Sequence, residues 1–181
     1  MSRAPVRIFD QRTGEYVTLD SREELVTFKW LLNEPRILSF SYHPITYLLT
    51  PKAAYTPLER DTGLPAKKPR SLLKEHVYTP DFSITFPASD VGLVNFFKHP
   101  SYSGDGSICT ALIDVKGTFN PHGGDREFSL NQKMMYMLKG LYVFKFVPNK
   151  HLRLEKDHGI SRYSLLDGSN GSACRQPQHL V

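Results

Sequence analysis

A mixed α/β domain is the fold class expected from this chain of 181 residues. Three observations lead there. Strand-like and helix-like stretches follow one another in the order β-β-α-β-β-β-α-β; the helices interrupt runs of strands instead of alternating with them; and 40% of the residues are hydrophobic, 12% aromatic. Helices set between runs of strands favour a central mixed sheet flanked by helices over a doubly wound parallel one. That apolar content can bury a core, which excludes wholesale disorder.

Residues 6–9 (VRIF) and 16–19 (YVTL) flank the polar turn 10–14 and read as a hairpin. Asp20-Ser21-Arg22-Glu23-Glu24 opens a helix, because Ser21 followed three residues later by Glu24 fits a capping box. The helix is expected to end at Asn33 or Glu34, since Pro35 disfavours helical backbone just before it. Residues 37–49 (ILSFSYHPITYLL) are strand-like, with Pro44 marking an edge or a bend. Residues 51–74 hold four prolines, a glycine and the basic side chains Lys52, Arg60, Lys67, Lys68, Arg70 and Lys74, and read as a loop or arm.

Residues 77–86 (VYTPDFSITF) form a strand interrupted near Pro80. An excursion at 87–108, rich in Gly, Ser, Pro and aromatic residues, carries a short helix at 91–97. Residues 110–115 (TALIDV) suit a central strand. The glycine-rich loop 120–125 precedes a helix at 129–139, stopped by Gly140, and 141–147 (LYVFKFV) is the last strand. From residue 157 on the chain is polar and turn-forming, so residues 1–156 are expected to form a single domain followed by a flexible tail.

Two cysteines, Cys109 and Cys174, are too few for a disulfide scaffold, and the seven histidines lack zinc-site spacing. No apolar run reaches the roughly 18 residues of a membrane span, and the first ten residues lack the apolar segment of a signal peptide. A soluble protein that keeps to the cytoplasm, with no membrane partner, is expected. The 23 Lys and Arg against 18 Asp and Glu, a net charge of +5, permit a polyanionic partner without proving one.

Two carboxylates and a lysine stand out by position. Asp114 ends the apolar run Ala111-Leu112-Ile113, and Lys116 follows two residues later. In a strand these two side chains share a face. There the carboxylate can hold a divalent cation while the lysine orients an attacking water, helps to deprotonate it, or stabilises developing negative charge. Asp81, after Pro80 on a neighbouring strand, can supply a second carboxylate. Hard oxygen donors of this kind suit Mg²⁺ or Mn²⁺. Each has a plainer reading: Asp81 as a turn aspartate, Asp114 as half of a strand-end ion pair with Lys116.

Tyr78-Thr79-Pro80-Asp81-Phe82 followed by Ile113-Asp114-Val115-Lys116-Gly117 resembles the PD-(D/E)xK nuclease superfamily. More narrowly, it resembles the small phage-type endonucleases related to Holliday-junction resolvases and transposon-end nucleases. The resemblance spans roughly residues 18–147, and the gap between Asp81 and Asp114 is long for the family. It implies a restriction-endonuclease-like core and Mg²⁺-dependent hydrolysis of DNA, leaving a 5′-phosphate and a 3′-hydroxyl. It also implies that Glu24, Asp81, Asp114 and the Val115 carbonyl bind metal, while Lys116 acts on the water and the transition state. Glu24 matches the family's helix glutamate by spacing, with Glu23 as the weaker rival and the capping box as its plainer role. After the DxK strand, Phe128-Ser129-Leu130-Asn131-Gln132-Lys133 resembles a fourth motif in which Lys133, or its rival Gln132, assists. An exposed lysine on an amphipathic helix is the plainer reading there.

The basic residues of 51–74, with Lys145 and Lys150, are expected to contact phosphates, and Tyr55, Tyr102, Phe96 and Phe97 either to stack on bases or to pack their loops down. A chain this small lacks room for a separate recognition domain, which favours branched or junction DNA over a sequence, in phage recombination, replication or repair. Symmetric resolution of a junction would require a homodimer, and a phage-encoded protein would act in the host cell cytoplasm. The alternatives are a monomeric nicking or repair endonuclease, a DNA-binding subunit that keeps the fold without cutting, and a small phosphate-binding or interaction protein whose motif is accidental.

Overall fold

A computed structural model describes residues 5–58, 63–65, 68–117 and 124–154. The readings of Arg60 and Lys67, of most of the glycine-rich loop 120–125 and of the tail 157–181 lie outside the described residues. In chain order the elements are β1 (Val6–Asp10), β2 (Glu15–Leu19), α1 (Arg22–Asn33), β3 (Ser39–Tyr42), β4 (Tyr47–Thr50), β5 (Ala53–Tyr55), β6 (Arg70–Leu73) and β7 (His76–Tyr78). After them come β8 (Phe82–Pro87), α2 (Val91–Phe97), β9 (Ser101–Tyr102), β10 (Ile108–Val115), α3 (Gly124–Lys139), β11 (Val143–Phe146) and α4 (Pro148–Leu154).

The fold is mixed α/β, as the sequence predicts. Its main sheet has the order β11-β10-β8-β3, with β9 added on β10. β11 runs parallel to β10, and the other pairings are antiparallel. The chain enters as the expected β1–β2 hairpin. Its turn is closed by Asp10, which accepts from Arg12 Nε at 3.1 Å and Nη2 at 2.9 Å. The Arg12 hydrogen bond holds the Asp10 carboxyl below the usual carboxylate range.

Alternation along the strands sorts the side chains onto two faces. Phe82, Ile84 and Phe86 of β8 and Cys109, Ala111, Ile113 and Val115 of β10 join one core with Phe28, Trp30 and Leu31 of α1 and Leu93 and Phe97 of α2. Leu112, of opposite parity, packs in a second cluster with Phe128 and Met135 of α3, Leu49 of β4 and Tyr78 of β7. α1 and α3 therefore cover opposite faces. α3 and the β4–β7 pair back only part of theirs: Ser39 and Ser41 on β3 stay exposed beside half-buried Ser83 and Thr85 on β8.

Several boundaries differ from the sequence reading, each for a physical reason. The run 37–49 divides at Pro44 into β3 and β4, which lie in different sheets. The run 77–86 divides at Pro80 into β7 and β8, because a proline cannot continue a ladder. The stretch 51–74 is more than a loop. β4 pairs with β7 and β5 with β6, both antiparallel and each with a register shift, so the described strands between residues 47 and 78 nest as successive antiparallel pairs. Helix α3 starts earlier than expected, β10 is two residues longer, and α4 was not anticipated.

The excursion 87–108 belongs to the core. Phe97 is fully buried, and Phe96 packs against Trp30, Phe144, Phe146 and His151. Neither ring is a platform for bases; both pack down instead. Phe97→Ala is expected to cost about 3–5 kcal/mol of stability, as for other buried aromatics. Urea denaturation checks it; a cost near zero would return the segment to the role of a loose loop. Among the described residues, no helix is long and apolar enough to cross a membrane.

Candidate active site

The two central strands β8 and β10 bring the candidate carboxylates together. Ile113 pairs with Phe82, so the residues just beyond them, Asp114 and Asp81, lie side by side. Both sit on the α3 face by parity, and Asp114 is 4% exposed. Asp81 Oδ2 accepts the Val115 amide N–H at 2.6 Å, which ties the loop before β8 to the end of β10. In an extended strand the C=O of a residue projects to the same side as its N–H, so the Val115 carbonyl lies on the Asp81 side of β10.

Asp114 Oδ2 accepts from the Tyr78 hydroxyl at 2.6 Å. Its other oxygen, Oδ1, is shielded from solvent and faces the Lys116 ammonium as an ion pair. The expected shared face of Asp114 and Lys116 is thus present. The Lys116 backbone is fixed by its N–H donating to the Phe146 carbonyl at 2.8 Å.

Burial first, and then the Asp114 charge beside it, push the Asp81 carboxyl up to about 7; the Val115 hydrogen bond and the Lys116 charge oppose them. Asp81 therefore keeps a proton up to about neutral pH, as a carboxylate crowded by a neighbouring charge does. For Lys116, burial works against the charge, but the negative charges of Asp114, Asp81 and Glu24 outweigh it and hold the ammonium above its ordinary range. Lys116 is a fixed positive charge here. Burial and the Asp114 charge likewise raise the Tyr78 phenol, which stays a donor.

Glu24 fulfils the capping-box reading. Oε1 accepts from Ser21 Oγ at 2.7 Å, and Oε2 accepts from the Asp20 N–H at 2.9 Å and the Tyr42 hydroxyl at 2.7 Å. The glutamate is 6% exposed and its field reaches Asp81 and Lys116, but in this rotamer its oxygens serve the helix start. The rival Glu23 passes its backbone carbonyl to Thr27 Oγ1 at 2.8 Å. Gln132 is used elsewhere as well: its Nε2 donates to the Val143 carbonyl at 2.6 Å, tying α3 to β11. Lys133 is exposed and lines a separate groove with His99, Tyr136 and Tyr142. The two fourth-motif candidates are therefore not gathered with Asp81 and Asp114.

Three residues without an expected role join the site. Tyr78 and Tyr42 each serve one carboxylate. His43 donates its backbone N–H to the Asp81 carbonyl at 2.8 Å, and its Nε2 lies 3.9 Å from Asp81 Oδ1. His43 takes a positive φ of 46°, with its ring stacked 3.8 Å from that of Tyr42. The tyrosine signal was present in the sequence, since Tyr78 opens the quoted Tyr-Thr-Pro-Asp-Phe run; nothing local pointed to Tyr42 or His43.

The donor set of Asp81, Asp114 and the Val115 carbonyl is all oxygen and fits a hard divalent cation. The crowding that protonates Asp81, and an Asp114 oxygen served by an ion pair alone, are conditions that a cation would relieve. Among the described residues, no three His, Cys, Asp or Glu side chains are disposed as a finished coordination sphere, in keeping with the capping rotamer of Glu24.

Lys52, Lys68, Arg70 and Lys74 are exposed along or beside the β5–β6 ribbon, whose continuation β7 carries Tyr78. Past this ribbon the chain continues through β7 to Tyr78 and, three residues on, to Asp81. Comparisons of the chain with protein-family models, with curated proteins and with solved structures return no match.

Proposed function

We propose that the chain is a Mg²⁺-dependent endonuclease of the PD-(D/E)xK type with a restriction-endonuclease-like core, hydrolysing phosphodiester bonds of DNA. The observation that carries this reading is the meeting of Asp81, Asp114 and Lys116 where the two central strands end, on a mixed sheet flanked by helices.

Asp81 and Asp114, with the Val115 carbonyl, would hold the cation. A bound Mg²⁺ supplies charge neutralisation at the scissile phosphate and a more acidic water. The protein's own contribution is positional. Tyr78 and the Val115 N–H fix the two carboxylates, so little reorganisation is needed when the phosphate arrives. Lys116, held charged, donates to the attacking water or to a phosphate oxygen and stabilises the negative charge that develops there. A permanently charged ammonium favours that role over removal of a proton. In the metal-free protein Asp81 exchanges its proton near neutral pH, and a bound cation would displace that proton.

The β5–β6 ribbon would lie on the duplex, its basic side chains contacting phosphates without reading sequence. A two-stranded ribbon fits the major groove in width. A junction or branch is the substrate favoured by basic side chains that contact phosphates without reading sequence, and a homodimer would then be needed to cut both strands. A second reading, a DNA-binding subunit that does not cut, gains from Glu24 and Gln132 being bonded elsewhere and Lys133 lying on a separate groove.

Incubation of the protein with labelled four-way junction, matched duplex and single strand in Mg²⁺ tests the proposal. Metal-dependent cuts with 5′-phosphate ends are expected. Salt-sensitive binding without cuts would favour the non-cutting subunit, and neither binding nor cutting would overturn both readings.

A further inference from the structure

At the other end of the main sheet lies a groove formed by the segment after α2, the β9 strand and the last turns of α3. Lys98, His99 and Tyr102 line one side and Tyr136 and Tyr142 the other, with Lys133 on the adjoining part, which encloses about 310 Å³. Among the described residues, no Asp or Glu lines it. Tyr102 and Tyr136 are 58% and 61% exposed, so their rings are open to a ligand. Tyr142 is held edge-on to His99, with centroids 5.3 Å apart. Lys98 and His99 take φ values of 53° and 27°, two successive non-glycine residues in the left-handed region. Such backbone costs energy and is typical of functional loops. Here it holds a cation and an imidazole at the rim.

We propose that this groove binds unpaired nucleotides of a nucleic-acid strand, stacking bases on the tyrosines and taking phosphates at Lys98 and Lys133. Tyrosine faces accept any base, and lysines nearby supply the sequence-independent part of the affinity. Two helix C-termini, those of α2 and α3, border the groove. Their partial negative charge suits the N–H edges of bases inside and leaves phosphates to the lysine rim. Tyr102 pairs with Cys109, five positions before Asp114 on β10, so the groove is about 16 Å from the acidic pair at 3.3 Å per residue. A DNA strand that has lost its partner, as at a branch or flap, would be held at one end of the sheet while another segment lies at the carboxylates. The proposal rests on the nuclease reading for its choice of nucleic acid as the ligand.

Fluorescence anisotropy of a labelled oligo-dT octamer, titrated with the full chain in EDTA, tests this without any cutting. Wild type is expected to bind. Tyr136→Ala, an exposed position whose change leaves the fold intact, is expected to weaken binding on the order of tenfold. Lys98→Ala should weaken it and flatten its salt dependence, while duplex binding through the β5–β6 ribbon stays unchanged in both variants. No octamer binding by wild type, or undiminished binding by Tyr136→Ala, overturns the proposal. A Tyr136→Ala effect accompanied by a fall from dimer to monomer mass in light scattering also overturns it, since the occupant would then be a second copy. A chain that binds the octamer through Tyr136 yet never cuts DNA sinks the nuclease reading alone; one that cuts but ignores the octamer sinks the groove alone.

Discussion

Lys116→Ala is expected to slow metal-dependent cleavage on the order of 10²–10³-fold, the loss typical when one preorganised charge at a transition state is removed. Affinity for the same DNA in EDTA is expected to change little, because the phosphate contacts assigned to Lys52, Lys68, Arg70 and Lys74 are untouched. The reason lies in the local charge balance. Lys116 is half-buried in a nest of negative charge from Asp114, Asp81 and Glu24 and is kept protonated by it. Its ammonium is thus poised beside the place where a phosphate would gain charge. Single-turnover cleavage and anisotropy on the same preparation separate the two effects. A fall in DNA binding equal to the fall in rate would make Lys116 a binding residue; an unchanged rate would remove it from the mechanism.

Asp81→Asn is expected to raise the stability of the metal-free protein at pH 8 while abolishing cleavage. The sign follows from proton binding in the two states. Unfolded, the carboxyl loses its proton around its ordinary value of 3.8; folded, burial and the Asp114 charge keep it protonated to about 7. The folded state therefore binds more protons between those limits, and stability falls as pH rises from about 4 through about 7. Above pH 7 the whole cost of the buried second charge is present, a few kcal/mol at roughly 1.4 kcal/mol per pKa unit. Asparagine cannot ionise, yet its carbonyl can still accept the Val115 N–H and its amide can donate to Asp114. Thermal melts at pH 5 and pH 8 should show the variant gaining most at the higher pH, by roughly 5–10 °C for a chain of this size. Equal gains at both pH values, or a loss at pH 8, would contradict the electrostatic picture of the pair. Stability surrendered to a crowded acidic pair is a cost that a purely structural site would not carry.

Local signals made part of this legible. The capping bond needs only Ser21 and Glu24, three residues apart, and Ser21 Oγ accepts the Glu24 N–H as read, while the glutamate side chain takes the Asp20 N–H, one residue before the cap. The shared face of Asp114 and Lys116 needs only the period of a strand, and β10 supplies it. The remaining features depend on pairing between distant segments. Proline-rich residues 51–74 carry no alternation of their own, because β6 is exposed along its whole length and buries no face that would impose one. What makes it a strand is its pairing with β5. Tyr78 reaches Asp114 across 36 positions, and Tyr42 reaches Glu24 across 18; neither contact leaves a trace in local spacing. The excursion 87–108 reads as irregular because glycine and serine surround its aromatics, yet Leu93 and Phe97 are core. Glu24 illustrates a different limit. Its two readings predict the same residue at the same spacing, and only its rotamer separates helix capping from a place among the carboxylates.

Calorimetric titration of the metal-free protein with Mn²⁺, run at pH 8 on wild type and on Asp114→Asn, tests the central claim most directly. One site is expected in wild type, weakening as the pH is lowered through about 7 because the cation must displace the proton on Asp81. Asp114→Asn is expected to lose that site while remaining folded. Binding that is absent from folded wild type, or that survives unchanged in Asp114→Asn, would contradict the assignment of Asp81 and Asp114 as a metal-dependent catalytic pair.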